Sequence, residues 1–74
     1  MIIEKGYLKG EITGFNNKKT IFEFIDGNTW VQAQFKRCSH QTFMPHAKVR
    51  DINGRYYLEI EGMREGVEVR RAES

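Results

Sequence analysis

The chain has 74 residues, 39% apolar and 30% charged, with 12 basic and 10 acidic side chains giving a formal net charge of +2. That length holds one domain around one core, and its single cysteine, Cys38, excludes an internal disulfide and points to a reducing compartment. Residues 1–5 lack the apolar segment of a signal peptide, and no apolar run reaches the roughly 18 residues needed to span a bilayer, so the expectation is a soluble cytoplasmic protein without a membrane partner.

Glycines and short polar clusters cut the chain into strands. The first is expected over residues 7–15, bent at Gly10 and Gly14, with Leu8 and Ile12 facing inward. The cluster Asn16-Asn17-Lys18-Lys19 turns the chain into a second strand over residues 20–25. Asp26-Gly27 then suits a two-residue hairpin, with a third strand over residues 29–35. A longer irregular segment, with room for a single helical turn, follows over residues 36–47. The clearest signal is Asn53-Gly54 between residues 48–52 and 55–61. A turn over residues 62–66 leads to a last strand over residues 67–71. No segment carries a helical period.

Both hairpins can be tested for consistent faces, because side chains alternate along a strand. A two-residue turn at Asn53-Gly54 sets Ile52 opposite Arg55, Arg50 opposite Tyr57, Val49 opposite Leu58 and Lys48 opposite Glu59. Val49, Tyr56, Leu58 and Ile60 then face the core, while Lys48, Arg50, Arg55, Tyr57 and Glu59 face solvent. The same treatment of Asp26-Gly27 sets Glu23 opposite Trp30 and Phe22 opposite Val31. Its core face is Phe22, Phe24, Val31, Ala33 and Phe35; its outer face is Ile21, Glu23, Ile25, Trp30, Gln32 and Gln34. A slip of one residue would exchange these faces. Val67 and Val69 point inward from the last strand. The expected architecture is a small antiparallel barrel of five or six strands, SH3-like, with OB-like and Sm-like barrels as alternatives.

The string Gly14-Phe15, Thr20-Ile21-Phe22, Gly27, Trp30, Gln32, Pro45, Val49, Tyr56, Leu58, Ile60, Gly62, Val67, Val69 and Arg71 resembles a pattern shared by a group of small bacterial all-β proteins. The resemblance spans most of residues 8–71 and departs between Gln32 and Pro45, where those proteins are richer in aromatics. It implies a small SH3-like barrel and no particular activity.

Three constellations bear on function. Trp30, Gln32 and Ile21, with Ile25, would form an aromatic and amide platform for a base or a peptide side chain; the competing account covers Trp30 with other parts of the chain. Lys36, Arg37, Lys48, Arg50, Arg55, Arg70 and Arg71 with Tyr57 supply cations and a ring for nucleic acid, although Glu59, Glu61 and Glu68 share those faces and favour a salt-bridged surface. Cys38, His40 and His46 are metal-ligand types without a clear fourth member, which favours an unliganded loop. No phosphate loop, nucleophile elbow or carboxylate pair occurs, and a 74-residue domain is expected to offer little concave volume for catalysis. The reading is a non-catalytic module that uses no cofactor and binds a protein or peptide or self-associates. The alternative is a single-stranded DNA- or RNA-binding barrel.

Overall fold

In a computed structural model, which describes residues 1–25 and 27–72, the chain folds into eight strands and no helix among those residues. The strands are β1 (Ile2–Tyr7), β2 (Glu11–Phe15), β3 (Ile21–Glu23), β4 (Thr29–Gln32), β5 (Cys38–Phe43), β6 (His46–Ile52), β7 (Arg55–Ile60) and β8 (Val67–Arg71). They form two antiparallel sheets, a six-stranded one in the order β1-β6-β7-β8-β4-β3 and a two-stranded ribbon of β2 and β5. The expected five- or six-stranded closed barrel is corrected accordingly. The edges of the larger sheet meet at one bridge, Leu8 with Phe24, flanked by Lys9 N–H donating to the Glu23 carbonyl and Ile25 N–H to the Tyr7 carbonyl.

The β6–β7 hairpin has the register expected of a two-residue turn, from Ile52 opposite Arg55 to Ala47 opposite Ile60. Asn53 (φ 54°) and Gly54 (φ 85°) both lie in the left-handed region, as a type I′ turn requires. Val49, Leu58 and Ile60 are buried as expected, and Tyr56 packs against the core. Leu8, Ile12, Val67 and Val69 also take their expected inward places.

The β3–β4 hairpin differs. Phe22 stands opposite Trp30 and Glu23 opposite Thr29, one residue out of the expected register. Phe24 N–H donates to the Asn28 carbonyl at 3.2 Å, so residues 25–27 separate the last paired residues instead of two. The expected turn residue Asp26 lies outside the described residues. The slip of one turns Trp30 and Gln32 inward, while Val31, expected in the core, is buried as well, at 9% exposure. Trp30 and Gln32 therefore enter the core, each 0% exposed, while Phe22 and Phe24 keep the inward positions expected of them. Strand β4 ends at Gln32, and Phe35, expected in the core, lies 70% exposed on the connection that follows.

Two further strands were not expected. Strand β1 opens the chain ahead of the expected first strand, sharing only Tyr7 with it, and pairs with β6, while β2 fills the second half of the expected span after a break near Gly10. Strand β5 lies inside the expected irregular segment and pairs with β2, with a register shift between Ile12 and Gly14. Gly14 has φ 102°, and a Cβ there would strike the Cys38 carbonyl oxygen and sit 2.8 Å from His40 N. Only glycine fits this crossing of the ribbon.

The core joins both sheets: Ile12 and Phe15 from the ribbon pack with Leu8, Phe22, Trp30, Val49, Leu58 and Val67. Full burial of one such aliphatic or phenyl side chain contributes roughly 1.5–3 kcal/mol. Phe15 and Phe22 meet edge to face at 6.0 Å.

Candidate functional site: two loops pinned by one buried glutamine

Trp30 is not a platform. Its ring packs edge-on against Tyr56 at 5.3 Å, the Arg71 guanidinium stacks 4.7 Å from its centroid, and its Nε1–H donates to Glu4 Oε1 at 2.7 Å. The second carboxylate oxygen of Glu4 accepts Asn28 N–H at 2.9 Å, so one side chain of β1 holds the β3–β4 hairpin. A buried indole with its one donor satisfied is a structural element, and no face of it is left for a ligand.

Gln32 is equally buried and fully engaged. Its Oε1 accepts Asn16 N–H at 3.1 Å; its Nε2 donates to the carbonyls of Gln34 at 2.8 Å and Lys36 at 2.9 Å. One amide thus ties together the loops after β2 and after β4. The second loop is fixed further. Ala33 N–H donates to the Glu68 carbonyl, Glu68 N–H to Gln34 Oε1, and Lys36 Nζ to the Gly66 carbonyl at 2.9 Å. Residues 32, 34 and 36 hold on to the body of the protein, and the alternate residues Phe35 and Arg37 are left exposed.

The first loop is organised by its own side chains. Asn17 Oδ1 accepts Lys19 N–H at 2.8 Å, Thr20 Oγ1 accepts Asn17 N–H at 3.0 Å, and Asn16 Nδ2 donates to Thr13 Oγ1 at 3.2 Å. These are the local bonds by which Asn and Thr favour turns. Asn16, Asn17, Phe35 and Arg37 surround a shallow concavity of about 400 Å³. Lys18 and Lys19 follow on the same loop, exposed. Among the described residues, neither these lysines nor Arg37 forms an ion pair.

The remaining sequence-derived candidates are dispersed. Lys48 and Arg50 converge on Glu59, at 3.8 Å and 3.0 Å, on the outer face of β6 and β7, where Tyr57 stands opposite Arg50. Lys36 pairs with Glu65 at 3.3 Å. Arg55 lies exposed beside the Asn53-Gly54 turn, Arg70 is exposed on β8, and Arg71 caps Trp30. Ile21 is 61% exposed on the outer face of β3, opposite Val31, and so is separated from Trp30 and Gln32. The expected platform is dissolved by the one-residue slip, and of the seven expected basic residues Lys36, Lys48 and Arg50 have carboxylate partners, Arg71 stacks on Trp30, and Arg37, Arg55 and Arg70 have no ion pair among the described residues.

Cys38, His40 and His46 do not come together. Cys38 stands opposite Phe15 and packs against the core, His40 lies against Gly62, and His46 meets Tyr7 edge to face at 5.3 Å. Among the described residues no group of three or more His, Cys, Asp or Glu side chains could hold a metal ion. Concave volume, by contrast, is more plentiful than expected. A groove of about 540 Å³ runs between Tyr7, His46 and Lys48 on one side and Glu59, Glu61 and Met63 on the other. No Ser, Thr, Cys or Asp lines it, and its Glu59 is occupied by Lys48 and Arg50.

Sequence reasoning missed Asn16, Asn17, Lys18, Lys19 and Phe35 as functional candidates. No local signal marks Phe35 as exposed, because Val31, Ala33 and Phe35 alternate with Gln32, Gln34 and Lys36 in the pattern of an inward apolar face. No helix among the described residues is long and apolar enough to cross a membrane. No protein-family model, curated protein or solved structure matches the chain, so its fold and site stand on their own geometry.

Proposed function

We infer that this chain is a small non-catalytic interaction module whose binding surface is formed by residues 16–19 and 33–37, and whose partner is anionic. The observation that carries the reading is Phe35, 70% exposed on a loop whose backbone is fixed from beneath by the buried Gln32 amide. An exposed phenyl ring contributes little to folding, yet three hydrogen bonds of a buried side chain are committed to the loops around it. Rigid display lowers the entropy cost of binding, which is the physical use of such an arrangement. Arg37, Lys18 and Lys19 supply charge, and neither segment contains an acidic residue. The curled six-stranded sheet, its edges bridged at Leu8 and Phe24, supports reading the scaffold as a partly open relative of small barrels.

Amide chemical-shift mapping tests the reading. Separate titrations with polyglutamate and with a single-stranded oligonucleotide should give saturable shifts confined to residues 16–19 and 33–37 in at least one case. Shifts centred on the Tyr7–His46 groove, or none in either titration, would contradict it.

A second reading, self-association, rests on β5. Phe43 is 70% exposed there, and β5 pairs only with β2 among the described residues, which leaves its other edge open to a second copy. Sedimentation would then show a concentration-dependent mass that Phe43→Ser abolishes. A constant monomer mass would remove this reading.

A further inference from the structure

We propose that the surface formed by residues 16–19 and 33–37 binds single-stranded nucleic acid, with a base stacked on Phe35 and phosphates held by Arg37, Lys18 and Lys19. The inference rests on the preceding assignment of that surface and adds the class of partner. Three features favour an unpaired base over an acidic peptide.

The first is shape. Phe35 projects as an exposed ring beside a shallow concavity of about 400 Å³. Peptide anchors are side chains that fill desolvated pockets, whereas bases need a flat ring with an open face. The second is hydrogen bonding. Asn17 uses its Oδ1 to accept Lys19 N–H, which leaves its Nδ2 as a donor. Asn16 uses its Nδ2 on Thr13, which leaves its Oδ1 as an acceptor. Among the described residues one donor and one acceptor are thus left free beside an aromatic ring, which matches the edge of a base, and an acidic peptide side chain offers only acceptors. The third is charge. Three cations without an ion pair among the described residues lie on the two loops that carry the ring and the amides. A single strand needs this combination of phosphate contacts and one stacking ring.

The duplex is disfavoured by the same geometry, because paired bases do not expose a face to a side-chain ring. Duplex DNA and acidic peptide therefore serve as the comparison ligands.

The test is fluorescence anisotropy of the full chain with three labelled probes: a mixed-sequence single-stranded oligonucleotide, its duplex, and a polyglutamate of similar charge. The single strand should bind most tightly. Phe35→Ala should weaken it by roughly five- to 150-fold, the value of one base stack, while Phe35→Trp retains it. The log–log slope of affinity against salt should be about −2 for three phosphates and should shrink by about 0.7 with Arg37→Ala. Phe35 is exposed, so circular dichroism and thermal midpoint should show both position-35 variants folded as the parent is. Equal binding of polyglutamate and oligonucleotide, with Phe35→Ala without effect, would overturn the proposal. If polyglutamate alone binds and Arg37→Ala weakens it, the proposal falls while the surface assignment survives. If no probe binds, or none of these substitutions alters binding, both fall.

Discussion

The two hairpins of the six-stranded sheet are held by different means. The β6–β7 hairpin closes on itself: a type I′ turn, six paired positions, and Asp51 Oδ1 accepting Gly54 N–H at 3.0 Å across its own loop. The β3–β4 hairpin has three paired positions and residues 24–28 between its strands, and its ties come from elsewhere. Glu4 of β1 holds Asn28 and Trp30, Arg71 of β8 stacks on Trp30, and Tyr56 of β7 meets its ring. Local turn chemistry is enough to specify the first hairpin. The second is specified by side chains distant in sequence, and it is from its end, at Gln32, that the candidate site is held in place.

Cutting the ties of the β3–β4 hairpin should therefore cost more than loosening the β6–β7 turn, most of all at Trp30. The largest loss is expected for Trp30→Ala. It removes a fully buried indole and leaves the Glu4 carboxylate without one partner, at about 3–5 kcal/mol, which would unfold much of a domain this small. Denaturant melts measure it, and a loss below about 1 kcal/mol would break the comparison. Gln32→Leu keeps the volume but strips partners from Asn16 N–H and two carbonyls, at about 1–3 kcal/mol. It should also release the loops, so oligonucleotide affinity should fall even where the melt shows a folded protein. Glu4→Ala, which frees both Asn28 N–H and the indole N–H, is expected near 1.5–3 kcal/mol by the same melts.

Gly54→Ala sharpens the contrast from the other side. It places a Cβ at φ 85° with open space around it, so only backbone strain counts, about 1–2 kcal/mol. Arg50→Ala is the smallest: its ion pair with Glu59 is about a third exposed at both ends, and double-mutant cycles should give no more than about 1 kcal/mol.

The same contrast explains what could be read from the sequence. Asn53-Gly54 and the alternation on either side of it fixed a register, and with it the faces of Val49, Leu58 and Ile60, because everything needed is local. At Asp26-Gly27 the same rule fails by one residue. Nothing local to residues 20–32 tells a two-residue turn from the three residues found, since the deciding partner of Trp30 is Glu4. The error then propagated. It put Trp30 and Gln32 on a surface platform and Phe35 in the core, where the structure has the reverse. Strand β5 escaped notice for a related reason. Its half-buried positions are Cys38, His40 and Thr42 and its exposed one at the end is Phe43, which inverts the usual pattern. The valines of β8, by contrast, alternate cleanly, and Val67 and Val69 lie buried where that alternation predicts. For the site, the hairpin register alone pairs Lys48 with Glu59, and the other basic residues can be listed from the sequence but not sorted. Arg50 and Lys36 have carboxylate neighbours brought by other strands or loops, and Arg37 has none among the described residues; Lys18 and Lys19 lie outside the set that sequence reasoning offers.

The central claim is that the buried Gln32 amide, and not local loop chemistry, holds the displayed loops in place. Hydrogen exchange at the Asn16 amide tests it most directly. Asn16 is itself exposed, and its N–H is sequestered only through the bond to Gln32 Oε1. The account predicts measurable protection of that amide in the parent protein and its loss, together with faster exchange across residues 33–37, in Gln32→Leu. Free exchange of Asn16 in the parent, or unchanged protection in the variant, would contradict it.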